Sequence, residues 1–226
     1  MIHNLKNVIR DFVFGMEDGL VSNLGLVLGV HIGGGSTYVV ILAGIASMVA
    51  GAFSMSAGSY LSAKSQREVY EHEIAATKRD LKKDPQQALR EMCSILKREG
   101  FDRDEIKAMI RHFEKHNRPT LIINYIQKKL GLSEERFELP LRNAFTMFIS
   151  FLIGSFFPII PFLLFSGDNS AIVAMIMTIG MLFMVGWAKA KYTHLNWVNS
   201  GLEIALIGIG AAILGYVAGL LIRIIF

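Results

Sequence analysis

Two acidic residues, Glu17 and Asp18, stand inside the first long apolar segment of the chain, residues 12–32. A carboxylate at the centre of a bilayer costs roughly 2.5–3.5 kcal/mol on translocon-based scales, so an acidic residue there is by default a candidate functional site. With a rise of about 1.5 Å per residue, Asp18 would lie about 9 Å inside a membrane that begins at Phe12. A carboxylate at that depth could bind a cation or a proton. The alternative is an interfacial carboxylate that reaches water or caps a neighbouring helix.

Helical spacing places Asp18 on a face of small and polar residues, while Glu17 lies off that face. Steps of four and three along the first segment join Asp11, Gly15, Asp18, Ser22, Gly25 and Gly29. The second segment has a similar stripe, formed by Gly44, Met48, Gly51, Met55, Gly58 and Ser62. Such faces let helices approach closely in lipid, so packing alone is the alternative interpretation of the glycines.

Met48 and Met55 add sulfur to the second stripe. Methionine in a membrane helix commonly serves as flexible packing. Opposite a carboxylate, however, a thioether forms a mixed hard and soft site that suits first-row divalent ions better than magnesium or calcium. The two stripes therefore favour a path for a transition-metal ion.

The composition indicates that these residues lie on transmembrane helices. Of the 226 residues, 52% are hydrophobic and 19% are charged, which indicates a membrane protein. We predict an all-α polytopic membrane protein with five transmembrane helices and a small helical cytosolic insert between helices 2 and 3. The predicted spans are approximately residues 12–32, 38–61, 143–165, 171–189 and 201–222. The blocks are a two-span hairpin (1–62), the insert (63–142) and a three-span bundle (143–226).

The basic residues predict the orientation of these helices. Of the 23 Lys and Arg residues, 18 lie between Lys64 and Arg142. The positive-inside rule then places the N-terminus and the insert in the cytosol and the C-terminus outside. Because the net charge of +4 is explained by topology, we expect no nucleic-acid partner. The single cysteine, Cys93, excludes an intrachain disulfide framework.

The insert contains recognisable helix signals. Asp84 before Pro85 is a typical N-cap, Asp102 with Glu105 matches a capping box, and a third helix is predicted from Pro119 to Gly131. The apolar faces are narrow, so we expect a partner or a second copy to cover them. Two histidines four residues apart could share a helix face and hold a metal, but the nearby basic residues and the lack of a third ligand favour a solvated surface. They are His112 and His116.

The order of several motifs resembles the vacuolar iron transporter family over essentially the whole chain. The motifs are Arg10-Asp11, Asp18-Gly19-Leu20-Val21, Gly25-Leu26, Ala50-Gly51-Ala52-Phe53-Ser54-Met55, Gly58-Ser59-Tyr60-Leu61-Ser62-Ala63-Lys64-Ser65-Gln66 and Pro158-Ile159-Ile160-Pro161-Phe162. The resemblance implies a homodimer that exports Fe²⁺ or Mn²⁺ from the cytosol in exchange for protons. It also implies that Asp18 and Met55 line a path at the dimer interface, and that Lys64 lies near its cytosolic mouth.

The chain departs from this family pattern in two places. Ser59 and Ser47 stand where many members carry an acidic residue in the second span, and most of the metal-binding glutamates of the insert are missing. Glu73 and Glu91 are the candidates that remain there. The full set of candidate transport-path residues is Asp18, Met55, Glu17, Met48, Ser22 and Ser59, with Lys64 and Glu73 as proton or gating candidates.

Two functions from different classes follow. The first is a proton-coupled exporter of Fe²⁺ or Mn²⁺, with no permanently bound cofactor and with a homodimer, membrane lipid, metal ion and protons as partners. The second is a membrane scaffold or sensor whose insert recruits a soluble partner. The missing metal-binding glutamates of the insert motivate this second function. The sequence shows no arrangement of a nucleophile with a base, so we do not expect an enzyme. We expect the plasma membrane in a prokaryote and a vacuole-like membrane in a eukaryote.

Overall fold

The computed structural model describes residues 2–116, 139–165, 167–193 and 196–225, and the regular structure in this part of the chain is helical. The described residues belong to two compact units, Met1–Ser62 with Leu139–Phe226, and Ala63–Glu138. The helices are α1 (Ile2–Ile32), α2 (Thr37–Lys83), α3 (Pro85–Arg98), α4 (Arg103–His116), α5 (Pro140–Phe156), α6 (Ile160–Leu164), α7 (Asp168–Thr193) and α8 (Trp197–Ile225).

Four of these helices are long and apolar enough to cross a membrane. The qualifying segments are Val8–Ile32, Thr37–Arg79, Asp168–Lys191 and Trp197–Ile225. The chain is therefore an all-α polytopic membrane protein, which confirms the predicted fold class. The predicted third span is divided between α5, which has 17 residues, and the short α6. Pro158 and Pro161 explain the division, because proline lacks an N–H donor and its ring clashes with the preceding helical turn.

The second helix extends well beyond the predicted span. It runs without a break to Lys83 and has 47 residues, whereas the apolar segment ends near Leu61. After Gly58, the sequence contains no glycine or proline before Pro85, so no local signal stops the helix. Pairs of opposite charge one turn apart support the polar part, as in Arg67 Nε to Glu71 Oε1 at 2.7 Å.

Helix α1 packs closely against α5 through glycines. A Cβ atom at Gly19 would lie 2.5 Å from the carbonyl oxygen of Phe151 and 2.8 Å from the backbone nitrogen of Ser155. Four residues further along α1, the amide of Asn23 donates to the carbonyl oxygen of Ser155 over 2.7 Å. Partner positions rise together along the two helices, so α1 and α5 run parallel.

Helix α1 also packs parallel to α8. Glycines spaced four apart face each other, because a Cβ at Gly215 would collide with the Gly25 carbonyl oxygen and one at Gly219 with the Gly29 carbonyl oxygen. This arrangement is the small-xxx-small packing expected between helices in lipid. The glycines of the first stripe therefore serve packing within one protomer.

Helix α7 runs opposite to α1. His31, near the end of α1, lies 3.3 Å from the Asp168 carboxylate at the start of α7, measured between Nε2 and Oδ1. The His31 ring also contacts Phe162 edge-on at a centroid distance of 5.6 Å. A tight turn then leads from α1 into α2, with Gly34 at a φ of 96°, a conformation that glycine adopts most readily.

Two apolar clusters fill the bundle around α1. One contains Leu24, Val27, Ile159 and Phe162, and the other contains Met16, Leu20, Leu182, Val185 and Ile204. Asn23 lies among these apolar residues with 1% of its surface exposed. Its amide nitrogen donates to the carbonyl oxygens of Ser155 at 2.7 Å and Gly44 at 3.4 Å, so one side chain joins α1 to α5 and α2.

Asn23→Leu is expected to lower the Tm of the detergent-purified protein. The substitution keeps the approximate size but removes both donated hydrogen bonds, which in membrane proteins contribute about 0.6 kcal/mol on average and up to about 1.7 kcal/mol. Asn199→Leu, at an exposed position in the first turn of α8, is the matched control. Equal Tm values for the two variants would contradict this role of Asn23.

The second unit contains the polar helices. Asp84 Oδ1 accepts from the Gln87 backbone N–H at 2.9 Å, which confirms the predicted N-cap of α3. The predicted capping box is also confirmed, because Asp102 Oδ1 accepts from the Glu105 N–H at 2.7 Å and Glu105 Oε2 accepts from the Asp102 N–H at 2.9 Å. Met92, Leu96 and Ile106 pack α3 against α4. The predicted helix from Pro119 to Gly131 lies outside the described residues.

Candidate functional site

The Asp18 carboxylate lies half-buried on α1, in the middle of a membrane-crossing segment. Among the residues that the structure describes, no side chain donates a hydrogen bond to this carboxylate or forms an ion pair with it. One turn later Ser22 is exposed, and its hydroxyl donates to the Asp18 backbone carbonyl over 2.5 Å. The Asp18 carboxylate therefore keeps its oxygen atoms available for an ion or a proton.

Glu17 has a different environment from Asp18. It lies within electrostatic range of Lys189 in α7 and Glu203 in α8. Adjacent residues on a helix point about 100° apart, so the two carboxylates of the acidic pair point in different directions, although Asp18 still lies within electrostatic range of Glu17. Glu17 on α1 thus interacts electrostatically with charged residues of two other helices, α7 and α8.

Some residues of the second stripe, on α2, lie inside the protomer and others lie at its surface. A Cβ at Gly44 would lie 3.0 Å from the Ile159 side chain, and one at Gly51 would lie 2.5 Å from the Phe151 ring. Met48 packs against the apolar cluster around Leu24. Further along α2, Met55 and Ser59 are half-buried. The structure therefore gives Met48 a packing contact, and Met55 is the methionine of the stripe nearer the polar end of α2.

A second row of small residues on α2 faces outward. Ala46, Ala50, Ser54 and Gly58 follow one another at intervals of four, and all four are exposed. A Cβ at Gly58 would meet no atom within 4 Å. Large apolar side chains lie beside this row, including Val49 with 54% and Phe53 with 70% of their surface exposed. This outward face is suited to close approach by another helix.

The candidates in the polar unit are mostly engaged in local contacts. Lys64 Nζ lies 3.7 Å from Glu68 Oε1, and Gln87 Nε2 donates to Glu91 Oε1 at 3.4 Å, while Glu73 is exposed. The side chains of His112 and His116 lie outside the described residues. Within the described ranges, no group of three or more His, Cys, Asp or Glu side chains is arranged to hold a metal ion.

Two features of this site were not predicted from the sequence. Asn23 was not singled out, although an amide in the middle of an apolar segment is a recognisable signal of a buried hydrogen bond. The grouping of Glu17 with both Lys189 and Glu203 joins three helices that are distant in sequence, so no local pattern could have shown it.

The model of the VIT family matches residues 9–220 of this chain. The chain belongs to the VIT family. The earlier resemblance to vacuolar iron transporters is thereby confirmed. The match includes α1 with Asp18, the apolar part of α2 with Met55, and the helices α5 to α8.

Named relatives of this VIT family chain cover most of its length. Vacuolar iron transporter 1 of Arabidopsis thaliana is 31% identical over 203 residues, which are 89% of this chain and 80% of the relative. Vacuolar iron transporter 1 of Eucalyptus grandis is 32% identical, with 89% and 81% covered. Protein CCC1 of Saccharomyces cerevisiae is 28% identical over 211 residues, with 89% and 65% covered. The VIT family relatives are transporters and not enzymes, as predicted for this chain.

Proposed function

We propose that this chain transports a divalent transition-metal ion, Fe²⁺ or Mn²⁺, out of the cytosol in exchange for protons. The observation that carries the proposal is the Asp18 carboxylate, which lies inside a membrane-crossing helix without an ion-pair partner in the described part of the chain. A carboxylate without an ion-pair partner at this depth is energetically costly, so its presence points to a functional role. The names of the relatives, vacuolar iron transporter, support a metal ion as the cargo.

A homodimer would complete the path. Each protomer supplies one Asp18, so two copies brought together through α1 and α2 would offer two carboxylates to one ion. The outward row of Ala46, Ala50, Ser54 and Gly58 supports close helix approach on that side. Met55 would then contribute a thioether that favours transition metals over magnesium or calcium. Binding of protons to the same carboxylates from the outer side would release the ion.

The helix directions support five crossings in this proposal. Because α1 and α5 run parallel and a tight turn joins α1 to α2, α2 must return across the membrane before α5 begins. With α5 and α6 as the third crossing, the N-terminus and the insert lie on one side. The Lys and Arg residues of the insert support the cytosol as this side.

The test is ion flux into proteoliposomes that contain the purified chain. We expect uptake of Fe²⁺ and Mn²⁺, faster when the receiving side is acidic, and little uptake of Mg²⁺ or Ca²⁺. Met55→Leu should reduce this preference by removing the sulfur, since a soft ligand selects for transition metals. Trp187→Leu, at an exposed position of α7, serves as the control. Absence of any divalent flux from well-folded protein would instead favour the scaffold or sensor function.

A further inference from the structure

An apolar groove lies between the first turns of the α1 membrane segment and the last turns of α7. Its volume is about 370 Å³, and its walls include Val8, Phe12 and Val13 on one side and Met184, Val185 and Ala188 on the other. Ligand sites in proteins commonly measure about 300–1,000 Å³. With apolar side chains on both sides, the groove fits a hydrocarbon chain better than a polar ligand.

The groove is open toward the surroundings of the bundle. Phe12 at its edge has 43% of its surface exposed, and Met184 has 57%. Trp187, next to Ala188 in sequence, is 47% exposed. Exposed tryptophan is enriched where a membrane helix meets the headgroup region, because its ring is apolar and its N–H can reach water. The groove therefore opens to lipid close to one membrane surface.

A positive charge stands at the end of this groove. Lys191 follows Met184 and Ala188 on one face of α7, at steps of four and three, and its side chain is exposed. No carboxylate in the described part of the chain forms an ion pair with Lys191. The neighbouring Lys189 interacts electrostatically with Glu17. Lys191 thus offers a cation just beyond the apolar walls.

We propose that this groove binds an anionic phospholipid of the surrounding bilayer, with one acyl chain between α1 and α7 and its phosphate at Lys191. Basic sites between membrane helices are suited to anionic headgroups, because the acyl chain and the phosphate are bound by adjacent apolar and charged surfaces. This inference is independent of metal transport, since the groove contains neither Asp18 nor Met55.

Native mass spectrometry of the full chain, purified in detergent with equal amounts of phosphatidylglycerol and phosphatidylcholine, tests the proposal. Wild-type protein should retain phosphatidylglycerol in about fivefold preference, the ratio that corresponds to about 1 kcal/mol for one basic residue at the membrane surface. Lys191→Gln should remove this preference. Lys78→Gln, which removes the same charge from an exposed position on α2, should leave it unchanged.

A second pair of variants tests the apolar part. Ala188→Trp should fill the groove and lower the amount of bound lipid of both kinds, and Phe12→Ala, at a partly exposed wall, should weaken binding without blocking the groove. Equal retention of the two lipids by wild-type protein would overturn the proposal, as would a phosphatidylglycerol preference that survives Lys191→Gln. If Ala188→Trp converts dimer to monomer while the lipid count stays constant, the groove holds a second copy of the chain and not a lipid.

Discussion

Asp18→Asn is expected to lower Fe²⁺ and Mn²⁺ uptake into proteoliposomes by more than about tenfold, and to remove the dependence of uptake on a pH gradient. Asparagine keeps the size of the side chain but has no negative charge. At an effective dielectric constant of about 20, a unit charge contributes about 4 kcal/mol at 4 Å, whereas about 1.4 kcal/mol is enough for a factor of ten. The measurement is initial uptake rate at several outer and inner pH values.

Glu17→Gln is the matched control for this experiment, because it removes the same charge one residue away on another side of α1. Glu17 lies within electrostatic range of Lys189 and Glu203, so we expect this variant to retain most of the flux. Equal losses in the two variants would show that the acidic pair acts as one site. Full flux in Asp18→Asn would contradict the proposed role of Asp18.

Gly215→Ala and Gly219→Ala are each expected to lower the thermal stability of the protein. Their new methyl groups would collide with the backbone carbonyl oxygens of Gly25 and Gly29, which cannot move without displacing α1. Overpacking of this kind costs about 1–3 kcal/mol. For a chain of this size, each kcal/mol corresponds to about 2–4 °C in Tm. Thermal unfolding in detergent, followed by circular dichroism, measures the effect.

Gly210→Ala on the same helix separates this collision from the general effect of replacing glycine. A Cβ at Gly210 meets no atom within 4 Å, so the added methyl group fits. Alanine is also preferred to glycine inside a helix by roughly 0.5–1 kcal/mol. We therefore expect an unchanged or higher Tm for Gly210→Ala. A lower Tm for this control, equal to that of Gly215→Ala, would mean that contact between α1 and α8 is not the cause.

Local sequence signals predicted the helices themselves well. Apolar length identified four of the predicted membrane segments, and the N-cap at Asp84 and the capping box of Asp102 with Glu105 form as their spacing indicated. Predictions about helix ends were less accurate, both where no local signal stops a helix and where prolines divide an apolar segment. The continuation of α2 to Lys83 and the division of the third span at Pro158 are the two examples.

Other parts of the site could not be predicted from the sequence, because they depend on contacts between helices. The glycines at positions 15, 25 and 29 shared a face with Asp18 by spacing, but that face is divided among α5 and α8 in the bundle. Met48 and Met55 also shared a stripe, yet Met48 packs into the apolar core. Helical spacing tells which residues point the same way and does not tell which neighbour they meet.

The sequence by itself determined the membrane location, the helical class, the family motifs and the position of Glu17 and Asp18 within an apolar segment. These properties depend on hydrophobicity and spacing, which are local to each segment. Only the tertiary structure decided that Glu17 lies within electrostatic range of Lys189 and Glu203, while Asp18 remains without an ion-pair partner in the described part of the chain. The reason is that the packing of α7 and α8 around α1 decides which side of that helix meets opposite charge.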